Sequence, residues 1–214
     1  MPKHSIQSPN DYRYLTKFLS KSISFFLFLS FRILLLGDSG VGKTSLIARY
    51  IRNEYPCQSQ THINTDGSTI YPTVIDGNDC RLIFIDFSTV YDFQKYRQTD
   101  TIPTACFIMF SITDQRSFSR LNFYYDIIRS KFSQSTSTNS LPIIIIGNKI
   151  DLEPERVIHQ QSMDKIKSHG YDVFDVSVKG NVGIGDAVYT AIKHLQYDRL
   201  EKLKSTNACA CVIS

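Results

Sequence analysis

Short apolar runs alternate along this chain with longer amphipathic stretches, a pattern typical of a sheet covered by helices. Runs rich in β-branched and aromatic residues predict strands at Phe31–Leu36, Thr69–Ile75, Arg81–Asp86, Ala105–Phe110, Ile143–Ile146 and Asp172–Val176. Helical apolar spacing predicts helices at Lys43–Asn53, Ser117–Lys131, Ser162–Ser168 and Ile184–Leu203. The turn residues Asp76-Gly77-Asn78 predict a hairpin, so the second and third strands should be antiparallel neighbours. The pattern therefore predicts an α/β fold: a doubly wound, mostly parallel six-stranded sheet with helices on both faces.

A glycine-rich loop, here called the phosphate loop, stands between the first predicted strand and the first predicted helix. Residues Gly37–Thr44 read GDSGVGKT and match G-x-x-x-x-G-K-[ST] between a strand and a helix, which is the context that distinguishes it from a chance turn. The glycines let backbone N–H groups surround a phosphate, and the helix start adds partial positive charge. Lys43 offers a cation to the β- and γ-phosphates, and Thr44 offers a hydroxyl to Mg²⁺. The predicted nucleotide contacts of this segment are Gly37, Asp38, Ser39, Gly40, Val41, Gly42, Lys43, Thr44 and Ser45.

A second motif, here called the base loop, reads Asn148-Lys149-Ile150-Asp151 and follows the apolar run Ile143–Ile146. Guanine presents two donors along one edge, and the Asp151 carboxylate can accept both. Adenine has an acceptor at N1 and would leave a buried carboxylate unpaired, which is costly. Lys149 can lie along the base, and Asn148 can tie this loop to the phosphate loop. The motif therefore favours a guanine nucleotide over the alternative of an ATP-using enzyme.

A third segment, Ser177-Val178-Lys179, follows the predicted strand end Phe174–Val176 and is called the Ser177 loop here. It resembles the S-A-K loop of small GTPases, in which a backbone N–H contacts the guanine carbonyl. Valine in place of alanine changes little there, because the contact comes from the backbone. With the two other motifs in the same order, residues 31–214 resemble the Ras superfamily of small GTPases. The chain is most similar to the Ras branch, although its opening FRILLLGDSGVGKTSL is equally similar to Rab.

The resemblance implies a P-loop NTPase fold and a switch that alternates between GTP and GDP with bound Mg²⁺. It implies a guanine nucleotide exchange factor, a GTPase-activating protein and effector proteins as partners. The Ser177 loop would contact the base, and Asp86 would hold Mg²⁺ through water. Tyr55 would pack edge-on against the base, the alternative being a half-buried tyrosine at a helix end.

Two residues after Asp86 depart from the family pattern. Thr89 stands where the family has a glycine whose N–H senses the γ-phosphate, and Val90 stands where a glutamine positions the attacking water. A valine side chain can neither donate nor accept a hydrogen bond. Weak intrinsic hydrolysis is therefore expected, and the alternative is a GTP-binding protein with negligible turnover.

The first switch segment is also atypical. The family places a threonine there that reaches Mg²⁺ and the γ-phosphate, but counting from the flanking motifs ends near His62, between Thr61 and Thr65. Thr61 is preferred for this role, and an ordinary polar loop is the alternative. Lys43 and Thr61 are accordingly the candidate catalytic residues.

Composition sets the broad class of protein. The 214 residues are 42% hydrophobic and 21% charged, which is ordinary for one globular domain with a tail at each end. A net charge of +4 does not argue for nucleic acid as a partner but would favour an anionic membrane. The five cysteines show no paired spacing, which indicates a reducing, cytosolic compartment.

The N-terminal extension, residues 1–30, contains most of the apolar run Ile23–Leu36. This run resembles a signal-peptide core, but it is shorter than the ~20 residues that span a bilayer, and Arg32 interrupts it. Its second half is also the strand that carries the phosphate loop. The extension is expected to pack on or near the GTPase domain, residues 31–203; a gene-model artefact and membrane contact are the alternatives.

The C-terminal tail, residues 204–214, ends in Cys211-Val212-Ile213-Ser214, which fits the C-a-a-X signal with a preference for farnesyl. One lipid chain gives marginal binding, so a second signal is expected. Cys209 is a candidate palmitoylation site, and the last predicted helix offers basic side chains. The tail therefore predicts a lipid anchor on the cytoplasmic face of a membrane, with the plasma membrane favoured.

Overall fold

The computed structural model describes residues 29–55, 67–87, 102–132 and 141–195. Its strands are β1 (Leu29–Gly37), β2 (Ser68–Ile75), β3 (Asn78–Asp86), β4 (Ala105–Ser111), β5 (Ile143–Asn148) and β6 (Asp172–Val176). They form one six-stranded sheet in the order β2-β3-β1-β4-β5-β6. The β2–β3 pair is antiparallel and all other pairs are parallel. The predicted mostly parallel sheet is confirmed, and β1 begins two residues before the predicted strand.

The helices alternate with the strands along the chain, as predicted, and the last helix follows β6. They are α1 (Lys43–Arg52), α2 (Gln115–Ser119), α3 (Leu121–Phe132), a 3₁₀ helix (Ile150–Glu155), α4 (Gln160–Ser168) and α5 (residues 184–195). The remainder of the predicted last helix, to Leu203, lies outside the described residues. The 3₁₀ helix, which begins within the base loop at Ile150, was not predicted from the sequence.

The single helix predicted at Ser117–Lys131 is wrong in one respect, because the structure divides it into α2 and α3. The break falls at Arg120, whose φ of −87° and ψ of 2° lie outside the helical range. The Asp114 side chain caps α2 by accepting the Arg116 N–H at 2.9 Å. Ser117 Oγ accepts the Ser111 N–H at 3.1 Å and so fastens α2 to the end of β4. The apolar periodicity continues through both helices, so it could not reveal the single non-helical residue between them.

Apolar side chains are buried on both faces of the sheet. Along β1 they alternate, so that Ile33 and Leu35 join one core cluster with α1 and α5. Leu34 and Leu36 join the other, with α3 and α4. Burial stabilises such a side chain by about 1.5–3 kcal/mol. Helices therefore cover both faces, as predicted, and the central strands are held firmly by packing.

The predicted hairpin is confirmed at the outer edge of the sheet. Ile75 pairs with Asn78, and the two turn residues between them, Asp76 and Gly77, have φ of 51° and 76°. Positive φ at both central positions is typical of a type I′ turn, whose twist matches that of the two strands. The hairpin makes β2 the strand that runs against the others.

All three motifs lie at the carboxyl edge of the parallel strands. The phosphate loop follows β1, Asp86 ends β3, the base loop follows β5 and the Ser177 loop follows β6. Ligands of open α/β sheets bind at this edge. The topology therefore brings together residues that are more than 100 positions apart in the sequence.

Two further observations concern the described ranges. None of their helices has the length and apolar character that crossing a bilayer requires. Cys80 and Cys106 are both buried free thiols.

Candidate functional site

Two glycines of the phosphate loop occupy positions that a side chain would not fit. Gly37 has a φ of 144°, and a Cβ added there would collide with the backbone oxygen of Met109 on β4. Gly42 has a φ of 103°, and its Cβ would collide with the Nδ2 atom of Asn148. L-residues with side chains rarely adopt such φ values. The loop can therefore approach β4 and the base loop only because glycine stands at these two positions.

Lys43 begins α1 and folds back over the phosphate loop. Its ammonium donates to the Gly37 carbonyl at 2.9 Å and to the Asp38 carbonyl at 3.0 Å. Burial lowers the pKa of Lys43, and the negative charges of Asp86 and Asp38 oppose that shift. The loop thus contains a largely desolvated cation beside the N-terminus of α1, an arrangement suited to an anion.

Thr44 and Asp86 meet across the sheet edge. The Thr44 hydroxyl donates to Asp86 Oδ2. The other carboxylate oxygen, Oδ1, is buried and has no hydrogen-bond partner among the described residues. Burial raises the pKa of Asp86, while the Thr44 hydrogen bond and the Lys43 charge act in the opposite direction.

This pair fits a magnesium ion. A hydroxyl and a carboxylate are hard oxygen ligands, and the unpartnered Oδ1 supplies a buried negative oxygen. The described ranges hold no cluster of three or more His, Cys, Asp or Glu side chains. Magnesium commonly binds with one or two protein ligands, several waters and the phosphates of a nucleotide. Thr44 and Asp86 would therefore hold it only as part of a nucleotide complex.

The Asn148 side chain connects all three loops. Its Nδ2 donates to the Val41 carbonyl of the phosphate loop at 2.8 Å, which is the tie that the sequence predicted. Its Oδ1 accepts the backbone N–H of Val178, in the Ser177 loop, at 3.1 Å. Asn148 is buried, with 3% of its surface exposed, so both hydrogen bonds are shielded from water.

The Val178 bond qualifies one expectation. The resemblance implied that an N–H of the Ser177 loop contacts the guanine carbonyl, and the Val178 N–H is here engaged by Asn148. The side chain of the next residue, Lys179, is exposed at the loop surface.

Asp151 and Ser177 are also brought together. The Ser177 hydroxyl donates to Asp151 Oδ1 at 2.6 Å and accepts the Gly180 N–H at 2.8 Å. Ser177 is buried, whereas Asp151 is exposed at the mouth of the site. Lys149 has a φ of 77°, so the chain turns sharply between Asn148 and Asp151. The Asp151 carboxylate is therefore oriented by Ser177 and remains accessible to a ligand.

The Asp38 side chain turns away from the phosphate loop. Its Oδ1 accepts the Tyr124 hydroxyl at 2.6 Å and pairs with Arg120 at 3.0 Å. Burial raises the pKa of Tyr124, and the bond to Asp38 adds to the shift. No sequence motif indicates this link, because Arg120 and Tyr124 lie more than 80 residues from Asp38.

Arg49, like Arg120 and Tyr124, is a residue of the site that the sequence did not reveal. It lies in the last turn of α1, and its guanidinium contacts the Ser177 loop and the Tyr55 ring. Tyr55 itself is 44% exposed. No local motif marks Arg49, because the loop carbonyls that it binds lie 129 and 130 positions along the chain.

Several predicted residues lie outside the described ranges. They are Thr61 and Thr65 of the first switch, Thr89 and Val90 after Asp86, and Cys209 and Cys211 of the tail. Their roles stay predictions.

A comparison with known families complements this geometry. The model of the Ras family matches residues 32–197, which is well over half of the chain. The match includes the phosphate loop, Asp86, the base loop and the Ser177 loop. The sheet order, the three connected loops and this match show together that the protein belongs to the Ras family of small GTPases.

Proposed function

We propose that this GTP-binding switch is a Ras-type signalling protein, anchored by lipid to a membrane and slow to hydrolyse GTP. The central part of this proposal is guanine-nucleotide binding at the three loops. The observation that carries it is the pair of hydrogen bonds that joins the Asn148 side chain to Val41 and to Val178. Through it, the residues expected to bind phosphate and those expected to bind the base form one connected surface. As in the family generally, regulators and effector proteins would act on it.

The phosphates would bind in the phosphate loop. Backbone N–H groups from Gly37 to Ser45 and the N-terminus of α1 would face them, and the Lys43 ammonium would exchange loop carbonyls for phosphate oxygens. Thr44 and Asp86 would hold Mg²⁺. A bound Mg²⁺ neutralises charge on the β- and γ-phosphates during transfer. The first-switch threonine, with Thr61 preferred, would complete this end of the site.

The base would bind between the base loop and the Ser177 loop. Each carboxylate oxygen has two acceptor sites, so Asp151 Oδ1 can keep its bond to Ser177 and still face a guanine donor. Lys149 would lie along one side of the base and Tyr55 near its edge. A backbone N–H of the Ser177 loop would donate to the guanine carbonyl. The Val178 N–H is bonded to Asn148, so the Lys179 N–H is the candidate donor. An ATP-using enzyme is disfavoured by the same carboxylate.

Turnover is expected to be weak because of Thr89 and Val90. A switch needs the attacking water oriented, and neither residue resembles the family's Gly-Gln pair. The competing proposal is a protein that holds GTP without useful hydrolysis. An activating protein that supplies the missing catalytic group would accelerate hydrolysis by a slow GTPase. It would have no such effect on a protein that only holds GTP.

Membrane attachment would depend on the tail. A farnesyl group on Cys211 with an acyl group on Cys209 supplies two lipid signals, which stable anchoring requires. This favours the cytoplasmic face of the plasma membrane and a signalling role. The Rab-like opening of the chain favours membrane trafficking as the second candidate function.

Base choice gives the first prediction. Asp151→Asn replaces an acceptor by a donor, so GTP affinity should fall by roughly 5–150-fold, corresponding to about 1–3 kcal/mol for an unpaired buried group. Xanthosine triphosphate, which offers an acceptor at that edge, should gain affinity. Competition binding checks both changes, with Glu155→Gln on the same 3₁₀ helix as the matched control. Unchanged GTP affinity in Asp151→Asn would remove this carboxylate from the base site.

Turnover gives the second prediction. Val90→Gln combined with Thr89→Gly should raise the single-turnover rate of GTP hydrolysis above that of the wild type, which should lie below about 10⁻⁴ s⁻¹. Equal loading with GTP before the reaction is the control. If the wild type hydrolyses as fast as the double variant, another residue orients the water.

Anchoring gives the third prediction. Cys211→Ser should move the protein to the soluble fraction, and Cys209→Ser should shift it partly to cytosol or internal membranes. Cell fractionation checks this, with deletion of residues 1–28 as the comparison because β1 begins at Leu29. Membrane retention of Cys211→Ser, reversed only by that deletion, would assign the anchor to the N-terminal run instead.

A further inference from the structure

Arg49 lies behind the part of the site that the base is expected to occupy. We propose that it is a positioning residue, which fixes the Ser177 loop and Tyr55 and thereby sets how tightly the guanine base is held. The inference rests on nucleotide binding by the three loops. It assigns Arg49 no contact with the nucleotide.

Two N–H groups of the guanidinium bind successive carbonyls of the Ser177 loop. Arg49 Nε donates to the Val178 oxygen at 3.0 Å, and its terminal nitrogen Nη2 donates to the Lys179 oxygen at 3.0 Å. The planar fork of arginine suits such a pair, and its charge strengthens both bonds. Arg49 therefore fixes the direction of two neighbouring peptide groups.

The direction of a peptide group determines where its N–H points, because the peptide is planar and trans. The carbonyl of Lys179 is held by Arg49, so the Gly180 N–H of the same peptide points the opposite way. That N–H donates to Ser177 Oγ at 2.8 Å, and Ser177 in turn donates to Asp151 Oδ1 at 2.6 Å. A continuous chain of hydrogen bonds thus leads from Arg49 to the carboxylate that is expected to read guanine.

The other end of the guanidinium is fixed by the end of α1. Its terminal nitrogen Nη1 donates to the Asn53 carbonyl at 2.9 Å and to Asn53 Oδ1 at 3.1 Å. Asn53 caps α1 in the left-handed conformation, with a φ of 56°, and also accepts from Asn181 at 3.3 Å. A cation near the C-terminus of a helix is favourable. Arg49 is therefore held rigidly enough to orient its partners.

Arg49 also supports Tyr55. Its guanidinium carbon lies 5.5 Å from the centre of the Tyr55 ring, within the range of a cation–π interaction. Tyr55 is the last described residue before the gap at residues 56–66. One side chain consequently contacts both segments that are expected to border the base.

Removal of the Arg49 guanidinium should weaken binding of the base more than binding of the phosphates. Arg49→Ala should speed dissociation of fluorescent GDP about tenfold, equivalent to about 1.4 kcal/mol. Inosine diphosphate lacks the exocyclic amine of guanine, from which Asp151 would accept a hydrogen bond. Because Arg49 acts on Asp151 through Ser177, its loss should narrow the ratio between the dissociation rates of inosine and guanosine diphosphate.

Arg49→Lys keeps the charge but not the fork, so its dissociation rate should lie between those of the wild type and Arg49→Ala. It also replaces the alanine variant if that one fails to fold. Arg52→Ala, one turn along α1 with an ion pair to Glu54 instead, is the matched control and should leave both rates unchanged.

Two outcomes would overturn the proposal. One is wild-type dissociation rates in both Arg49 variants. The other is an equal acceleration for the two diphosphates, which would indicate a purely structural role. Failure of the wild type to bind GDP at all would instead contradict the function proposed above, so the two failures are distinguishable.

Discussion

The buried amide of Asn148 donates to Val41 in the phosphate loop and accepts from Val178 in the Ser177 loop. Water cannot replace either bond at this depth, and a buried polar group left unpaired costs about 1–3 kcal/mol. The positions of three loops therefore depend on one side chain. The same contact requires glycine at position 42, because the Asn148 amide occupies the space that a Cβ would need.

The phosphate end of the site brings together buried charges that the described residues do not fully neutralise. Burial lowers the pKa of Lys43 and raises that of Asp86, and Asp86 Oδ1 has no partner among the described residues. Both shifts reflect the cost of keeping a charged group away from water. A magnesium–nucleotide complex offers negative oxygens to the first group and a cation to the second. A ligand that binds the folded state alone also stabilises it, so binding and stability are linked here.

Much of this architecture could be predicted from local sequence. The phosphate loop, the base loop and the hairpin at Asp76-Gly77 depend on residue types at fixed spacing, and their backbone geometry follows from those residues. Strand positions followed from apolar runs because burial on both faces of the sheet requires them. The carboxyl ends of parallel strands then placed the motifs at one edge.

The remaining features depend on contacts between distant residues. The bonds of Asp38 to Tyr124 and of Arg49 to Val178 join elements 86 and 129 positions apart. An arginine near a helix end reads equally well as a solvated side chain, so sequence gave no reason to single it out. The helix break at Arg120 depends on a single residue's backbone angles. Such features emerge only when packing has fixed the neighbours.

The most direct test of this account is the nucleotide content of the full-length protein purified in magnesium buffer. Chromatography of the released small molecules should yield a single guanine nucleotide per chain, GDP or GTP. Added GTP should displace it, and ATP at the same concentration should not. Adenine nucleotide in the released fraction, or equal displacement by ATP, would contradict the assignment of the base loop and with it the central claim.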